Sequence, residues 1–511
     1  MRKASITPFC ALCLMLVTSV LLVLLESVRV CGLDYYASLK AEALMDSLCA
    51  EYQPLLWEQY GVLVLDGAYG TEHFSKDYMT ERVTELFSMQ QVKAGDVFFQ
   101  RGLDLFKLSM PQVELEGYAL ATDEQGKLFF KYIAERMKEE LPIGIAEDIY
   151  EKYQIKNMIQ TSDSKNAVTE ASETLQWAKI SKWNDIEEEA ENAQSEEEEN
   201  LAWAGSWVFQ SPGVMNLENL LDAALDLKSR GVLNMVLGEN AKLSNKGSVP
   251  VSYIADRNKN TGTMLYSGEV NWYEKILVLE YLDKYFGCYG EENTGHYLDY
   301  EMEYILAGKD LEWKNLEEVL RKILLVREAA NFTFLLNNME KMQQAESVAR
   351  AIALLIGENP VVIKVVQLGV VAAWAYAESI LDVRALMSGE VIPIMKKDDE
   401  WTLDILNLFS VFQTTTKAKV CENGMCYKEY LKLLLFTEQQ ESMACRMMEA
   451  MEMSIQKHSD YENCKMDQMY LAIKYRFGFE SDPLFFSLIT IGEPSESGFL
   501  FCKEVLRSYV P

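Results

Sequence analysis

A chain of 511 residues with 49 % hydrophobic positions has room for two or three domains and enough apolar matter to give each a core. Its formal charge of −30 repels phosphate backbones, which argues against nucleic acid as a partner, and keeps the bulk of the chain off an anionic lipid surface. Acidity of this kind serves solubility and does not mark a binding site by itself.

In chain order, residues 1–5 form a short stub carrying Arg2 and Lys3. Ile6 to Leu25 is a run of 20 residues without a charge, and at about 1.5 Å per helical residue it spans roughly 30 Å, the thickness of a bilayer core. A cleavable signal has a shorter apolar core followed by small residues. Here the run ends in Leu24-Leu25-Glu26-Ser27-Val28-Arg29, so residues 6–25 are expected to remain as a membrane anchor. The basic stub places the amino terminus in the cytoplasm and everything after the anchor outside, as a single-pass cell-membrane protein.

Beyond the anchor, Leu33, Ala37, Ala41, Leu44, Leu48 and Tyr52 recur at helical spacing. The spacing predicts a helix that leaves the membrane unbroken and lays an apolar stripe on a globular domain or a neighbouring helix. Pro54 is expected to end or kink it. This is the architecture of pilins and pseudopilins, and equally of any single-pass protein with a helical neck.

Gly61 to Asp66 read as a strand, and 103–122 as strands broken at Pro111. The stretch KLFFKYIAERMKEEL, from Lys127, returns to helical period. Residues 26–155 are therefore expected to combine the long helix with a small α+β domain. An acidic low-complexity run, 184–200, lies inside a linker taken as 156–205. From 206 to 511 a mainly helical extracellular domain follows, with helices over 272–286, 316–357, 361–387, 427–436 and 438–456. A half-buried strand over 469–477 is expected to pair with 484–491 or with a cysteine hairpin. The fold class is α+β, mostly helical, with a few strands near the carboxyl terminus. The helix beginning at Val361 approaches spanning length. Lys364 and Gln367 argue for a core helix instead, since a lysine at mid-bilayer costs on the order of 3 kcal/mol.

The chain has ten cysteines. In Val420-Cys421-Glu422-Asn423-Gly424-Met425-Cys426, Asn-Gly is a two-residue hairpin signature that would set Cys421 opposite Cys426, as a disulfide or as two thiols. Glu378, Asp382 and Arg384 interrupt an apolar helix and suggest a buried charge cluster, with Arg327 and Glu328 as candidate partners. His73, His296 and His458 are far apart and in no metal-binding context. Acid pairs such as Glu301 with Glu303, or Asp398 with Asp399, could in principle hydrolyse a glycosidic bond. They do not stand out in so acidic a chain. No catalytic residue, cofactor or metal ligand is predicted.

The stretch SITPFCALCLMLVTSVLLVLLESVRVCGLDYYASLKAEALMDSLCAEYQPLLWEQYGVLVLD resembles the amino terminus of a family of unknown function, family 5702 among the domains so labelled, found in Firmicutes beside Tad-type pilus components. YEMEYILAGKDLEWKNLEEVLRKILLVREAANFTFLL, AAWAYAESILDVRALMSGEVIPIMK and YKEYLKLLLFTEQQESMACRMMEAMEMSI resemble its later blocks, so the likeness covers the first 66 residues and about 272–477. The resemblance implies a membrane-anchored, pseudopilin-like accessory of a Tad pilus or related secretion machine, similar in its first helix to TadE-like proteins. The pattern departs at the processing site. Ala4 stands where such proteins carry Gly, and Pro8 and Phe9 occupy the region of their assembly Glu, while Glu26 lies at the far end of the helix. Partners are expected in the membrane through residues 6–25, and in proteins through the helix 26–53 and the helical domain. The alternatives are an exported cell-wall hydrolase and an extracellular binding module using the insert 70–270.

Overall fold

The structure is a computed structural model that describes residues 6–71, 73–90, 106–138, 149–150, 231–238, 242–264, 268–291, 295–353, 360–405, 416–485 and 498–509. Its principal elements, in chain order, are α1 (Ile6–Cys49), α2 (Pro54–Tyr60), β1 (Leu65–Asp66), α3 (Lys76–Gln90), β2 (Ser109–Leu120), α4 (Lys127–Met137) and α5 (Val232–Leu237). There follow α6 (Trp272–Tyr285), α7 (Glu301–Ala307), α8 (Glu312–Asn337), α9 (Met339–Ala353), α10 (Pro360–Met387), α11 (Tyr427–Thr437), α12 (Gln440–Gln456), β3 (Met469–Ser481) and β4 (Phe499–Ser508). The class is α+β and mostly helical, as the sequence predicts.

The chain divides into two compact units. One comprises Met1–Glu140, Pro250–Glu274 and Ala444–Pro511; the other comprises Leu141–Val249 and Lys275–Met443. This corrects the sequential layout of a domain at 26–155 followed by one at 206–511. The reason is the sheet. Its central strand β3 and its partner β4 come from the end of the chain, while β1 and β2 come from the beginning, so the sheet draws on both ends of the chain. The linker 156–205 lies outside the described residues, as does much of 70–270.

In the first unit all strand pairs are antiparallel, with β2 on one side of β3 and β4, together with the short β1, on the other. Two expectations are corrected here. β2 runs through Pro111 without a break, because among the described residues β2 pairs with β3 alone, and a proline without an N–H is tolerated on such an outer strand beside the register shift between Ser109 and Gln112. The partner of β3 on its other side is Phe499–Ser508, which the reading of 484–491 did not foresee. Within 61–66, only Leu65 and Asp66 join the sheet.

One unbroken helix of 44 residues, α1, carries the unit. Leu33, Ala37, Ala41, Leu44 and Leu48 of the predicted stripe are all fully buried in one core with Tyr475, Phe477 and Phe479 of β3 and Phe501 and Val505 of β4, while Tyr52, the last predicted member, lies beyond the end of α1 and is half-buried. The two alanines leave room for close helix-to-sheet approach. The flanks of the stripe are tied by Lys503 to Asp34 at 2.8 Å, Arg507 to Asp46 at 2.7 Å, and Tyr509 Oη donating to Cys49 O at 2.5 Å. As β4 numbers rise, so do their α1 partners, and β4 therefore climbs alongside α1 away from its apolar end. Pro54 does not kink α1, which has already stopped at Cys49. It sits in the first turn of α2, where its missing N–H is harmless, behind Gln53, whose side chain accepts from Leu55 N. α2 then closes on Gly61 at φ 63°, a left-handed conformation that glycine adopts without strain.

In the second unit α10 packs against α8, α9 and α5. By length and composition α10 could cross a membrane, but 61 % of its apolar window is buried within the protein. Every residue from Gly369 to Val383 is buried, while Lys364 is exposed. It is a core helix of this unit. The single helix expected over 316–357 divides at Asn338. Its backbone is extended there (φ −99°, ψ 106°), and its side chain accepts from Lys341 N at 3.1 Å, capping α9.

Candidate functional site

Two features combine chemistry with position, one in each unit. In the first unit no residue in the apolar window of α1 is buried, and α1 is long and apolar enough to cross a membrane. At the end of that run Glu26 and Arg29, one helical turn apart, pair at 2.6 Å and are almost completely buried. Arg29 Nη2 donates to Ser481 Oγ at 2.7 Å and to Asp482 O at 3.0 Å. Glu26 accepts from Leu484 N at 3.4 Å and Phe485 N at 2.6 Å. The pair thus fastens the segment after β3 to the helix at the point where the charge-free run ends. The sequence offers Glu26 and Arg29 as a break in an apolar run, but nothing in it names residues more than 450 positions away.

In the second unit Arg327 and Asn331 of α8 face Glu378, Ser379 and Asp382 of α10, and Lys396 enters from the segment that follows. Spacing of i and i+4 puts Arg327 with Asn331, and Glu378 with Asp382, on single helix faces. Arg327 donates from Nε and Nη2 to Asp382 Oδ2 at 3.0 and 2.9 Å, and from Nη1 to the carbonyls of Pro393 and Ile394 at 2.6 and 2.7 Å. Lys396 Nζ lies 2.5 Å from both Glu378 Oε1 and Asp382 Oδ1. Glu378 also accepts from Thr402 N and Leu403 N. All four charged side chains are fully buried, and their charges cancel.

Burial pushes the Asp382 carboxyl up, but Arg327 and Lys396 outweigh it and hold the group below its ordinary value. Burial likewise lowers Lys396, and Asp382 and Glu378 outweigh that, holding its ammonium above the ordinary lysine value. An aromatic group lies beside the cluster. Lys396 stands 5.8 Å from the ring centre of Trp401, which meets Trp374 edge-on at 5.7 Å, and both indole N–H groups donate to Leu403 O. Enclosed and fully paired, this arrangement fixes α8, α10 and the 393–403 segment together. It offers a reacting molecule no access.

Of the residues that the sequence singled out, Glu378, Asp382 and Arg327 come together. Arg384 does not. Two residues beyond Asp382 is about 200° around a helix, and its guanidinium goes instead to Met235 O at 2.8 Å and Thr416 O at 3.2 Å. Glu328 is buried near Tyr376. Lys396 was missed, since one lysine of a Lys-Lys pair in a polar stretch reads as surface.

No sulfur–sulfur bond joins Cys421 and Cys426 in the structure. Asn423-Gly424 makes no two-residue hairpin. Met425 instead exchanges backbone hydrogen bonds with Ile392, and Cys426 caps the start of α11. Gly424 permits that approach, because a Cβ there would lie 2.6 Å from the Ile392 carbonyl carbon.

The acid pairs considered for hydrolysis have other work. Glu301 accepts from Gly287 N and meets His296 Nδ1 at 2.8 Å. Glu303 accepts from Tyr289 N and the Tyr427 hydroxyl, both at 2.8 Å, and burial pushes its carboxyl up to about 7. Asp398 and Asp399 are exposed. Among the described residues no group of three or more His, Cys, Asp or Glu is placed to hold a metal ion.

The fold and these sites define a mostly helical α+β protein with a spanning-length apolar helix at its amino terminus and a sheet closed by the two ends of the chain. Residues 213–481 match the family described as Family of unknown function (DUF5702), and the chain belongs to that family. The match begins well before residue 272, so 213–271 are part of the family's region and not of an insert, while the first 66 residues lie outside it. No curated protein and no solved structure matches the chain.

Proposed function

We propose that this protein is a single-pass, membrane-anchored structural or assembly accessory, with its amino terminus in the cytoplasm and its bulk outside, serving a Tad-type pilus or a related secretion machine. The observation that carries the reading is α1 itself. One unbroken helix has an exposed apolar half of bilayer length and continues, without a hinge, into a half whose stripe is the core of an antiparallel sheet. A rigid helix of this kind transmits position from the membrane to the external unit, which is what a pilin-like subunit requires. A second feature supports assembly through α1. Val28, Cys31, Tyr35 and Leu39 recur at helical spacing on the side away from the sheet and are exposed.

Cys31 provides a test in the native sequence. When membranes holding the full chain are treated with a mild thiol oxidant, a disulfide-linked species through Cys31 is expected, and Cys31→Ser should abolish it. A chain that sits in the membrane and gives no Cys31-dependent product, with itself or with any other protein, would contradict assembly through this face.

A further inference from the structure

We infer that the end of the sheet nearest the anchor rests on the bilayer surface, with Leu484, Phe485, Phe499 and Leu500 entering the headgroup region beside α1. The inference rests on the reading of α1 as an anchor and adds to it a second membrane contact from the other end of the chain. Its geometry follows from the hydrogen bonds at the foot of the helix. Ser481 and Asp482 are held at the level of Arg29, and the backbone of Leu484 and Phe485 at the level of Glu26. Three helical residues separate those levels, about 4.5 Å. The chain leaving β3 therefore descends toward the apolar run, and reaches the first residue after it.

β4 begins at the same level, since Phe499 pairs with Ser481 and Leu500 with Glu480. From there it climbs away beside α1, through Lys503 at Asp34 and Arg507 at Asp46. Leu500 is 61 % exposed, while Leu484, Phe485 and Phe499 are half-buried. Such side chains cost free energy in water and regain it at a lipid interface. The charges at this foot suit that place. Glu26 and Arg29 neutralise each other out of contact with solvent, while the exposed Asp482 and half-buried Glu480 limit the insertion to headgroup depth. A protein of charge −30 is repelled as a whole by anionic lipid. The exposed Leu500, with half-buried Leu484, Phe485 and Phe499, is where it can touch the surface.

The test places the photoreactive residue p-benzoylphenylalanine at Leu16, Phe485 or Leu506 of the full chain in nanodiscs of phosphatidylethanolamine and phosphatidylglycerol, and reads lipid adducts by mass spectrometry after illumination. Leu16 lies in the anchor, and Leu506 is an exposed apolar residue at the far end of β4. Adducts at 16 and at 485, with several-fold fewer at 506, are the expected result. Adducts at 16 with none at 485, or with 485 and 506 equal, would overturn this inference and leave the anchor standing. An absence of adducts at 16 would remove the anchor and this inference with it.

Discussion

Replacing Arg327 with Met is expected to destabilise the second unit by about 3–5 kcal/mol, the cost of leaving a buried charge without its partner. The fully buried cluster holds two cations and two anions in balance, and the substitution leaves Lys396 facing both Glu378 and Asp382. Removing both partners of one pair should cost less. Arg327→Met with Asp382→Leu keeps the Lys396–Glu378 pair neutral, so the double variant should be more stable than Arg327→Met alone. Arg384→Met, which lies outside the charge cluster and loses hydrogen bonds to the backbone carbonyls of Met235 and Thr416, should cost less, about 1 kcal/mol.

The pH dependence follows from the same groups. The Asp382 value is depressed in the folded state, so its contribution is complete above the ordinary aspartate range and is lost as pH falls through the folded value. The Lys396 value is raised, so its contribution is complete below the ordinary lysine value and is lost as pH rises through the folded one. The cluster is therefore fully effective between about pH 4 and pH 10. Denaturant unfolding of the full chain in detergent measures all three variants. An Arg327→Met protein as stable as the parent, or a double variant less stable than the single, would contradict this account of the cluster.

Phe477→Ala is the second large effect, an expected loss of about 3–5 kcal/mol confined to the first unit. Phe477 is fully buried at the middle of β3. Its ring stacks on Tyr475 at 5.9 Å and on Phe479 at 6.0 Å, and its core is shared with the α1 stripe. The cavity would open between helix and sheet, so the damage should appear as loss of protection along Leu33–Leu48. Hydrogen exchange of that segment reads it directly. Phe477→Leu, which keeps most of the volume, should retain most of the protection. If Phe477→Ala left the exchange of 33–48 unchanged, α1 would not depend on this sheet.

The parts of this fold legible in the sequence were those written in local periodicity. The α1 stripe at 33, 37, 41, 44 and 48 and the strand β3 follow from spacing, and the core character of α10 from Lys364 and Gln367 in its apolar run. β4 was not legible, because Lys503 and Arg507 interrupt the apolar alternation of Phe501 and Val505. Those cations are tolerated because α1 carries Asp34 and Asp46 opposite them, a fact of tertiary structure. The charge cluster was half legible for the same reason. Glu378 and Asp382 share a helix face and mark a buried polar site, but helical geometry sends Arg384 to another face, and the cations that balance the acids come from α8 and from the chain beyond α10. The Asn423-Gly424 signal failed because the glycine serves a close backbone approach to Ile392 and no reversal of the chain.

The central claim is that α1 is one retained helix, anchor and core together. The intact mass of the full chain, recovered from the membrane fraction of an expressing cell after alkaline extraction, tests it most directly. Membrane-bound protein whose mass includes residues 6–25 is the expected result. A soluble product beginning between Ser27 and Gly32 would contradict it, since the anchor would then be a cleaved signal and the exposed half of α1 would be absent from the mature protein.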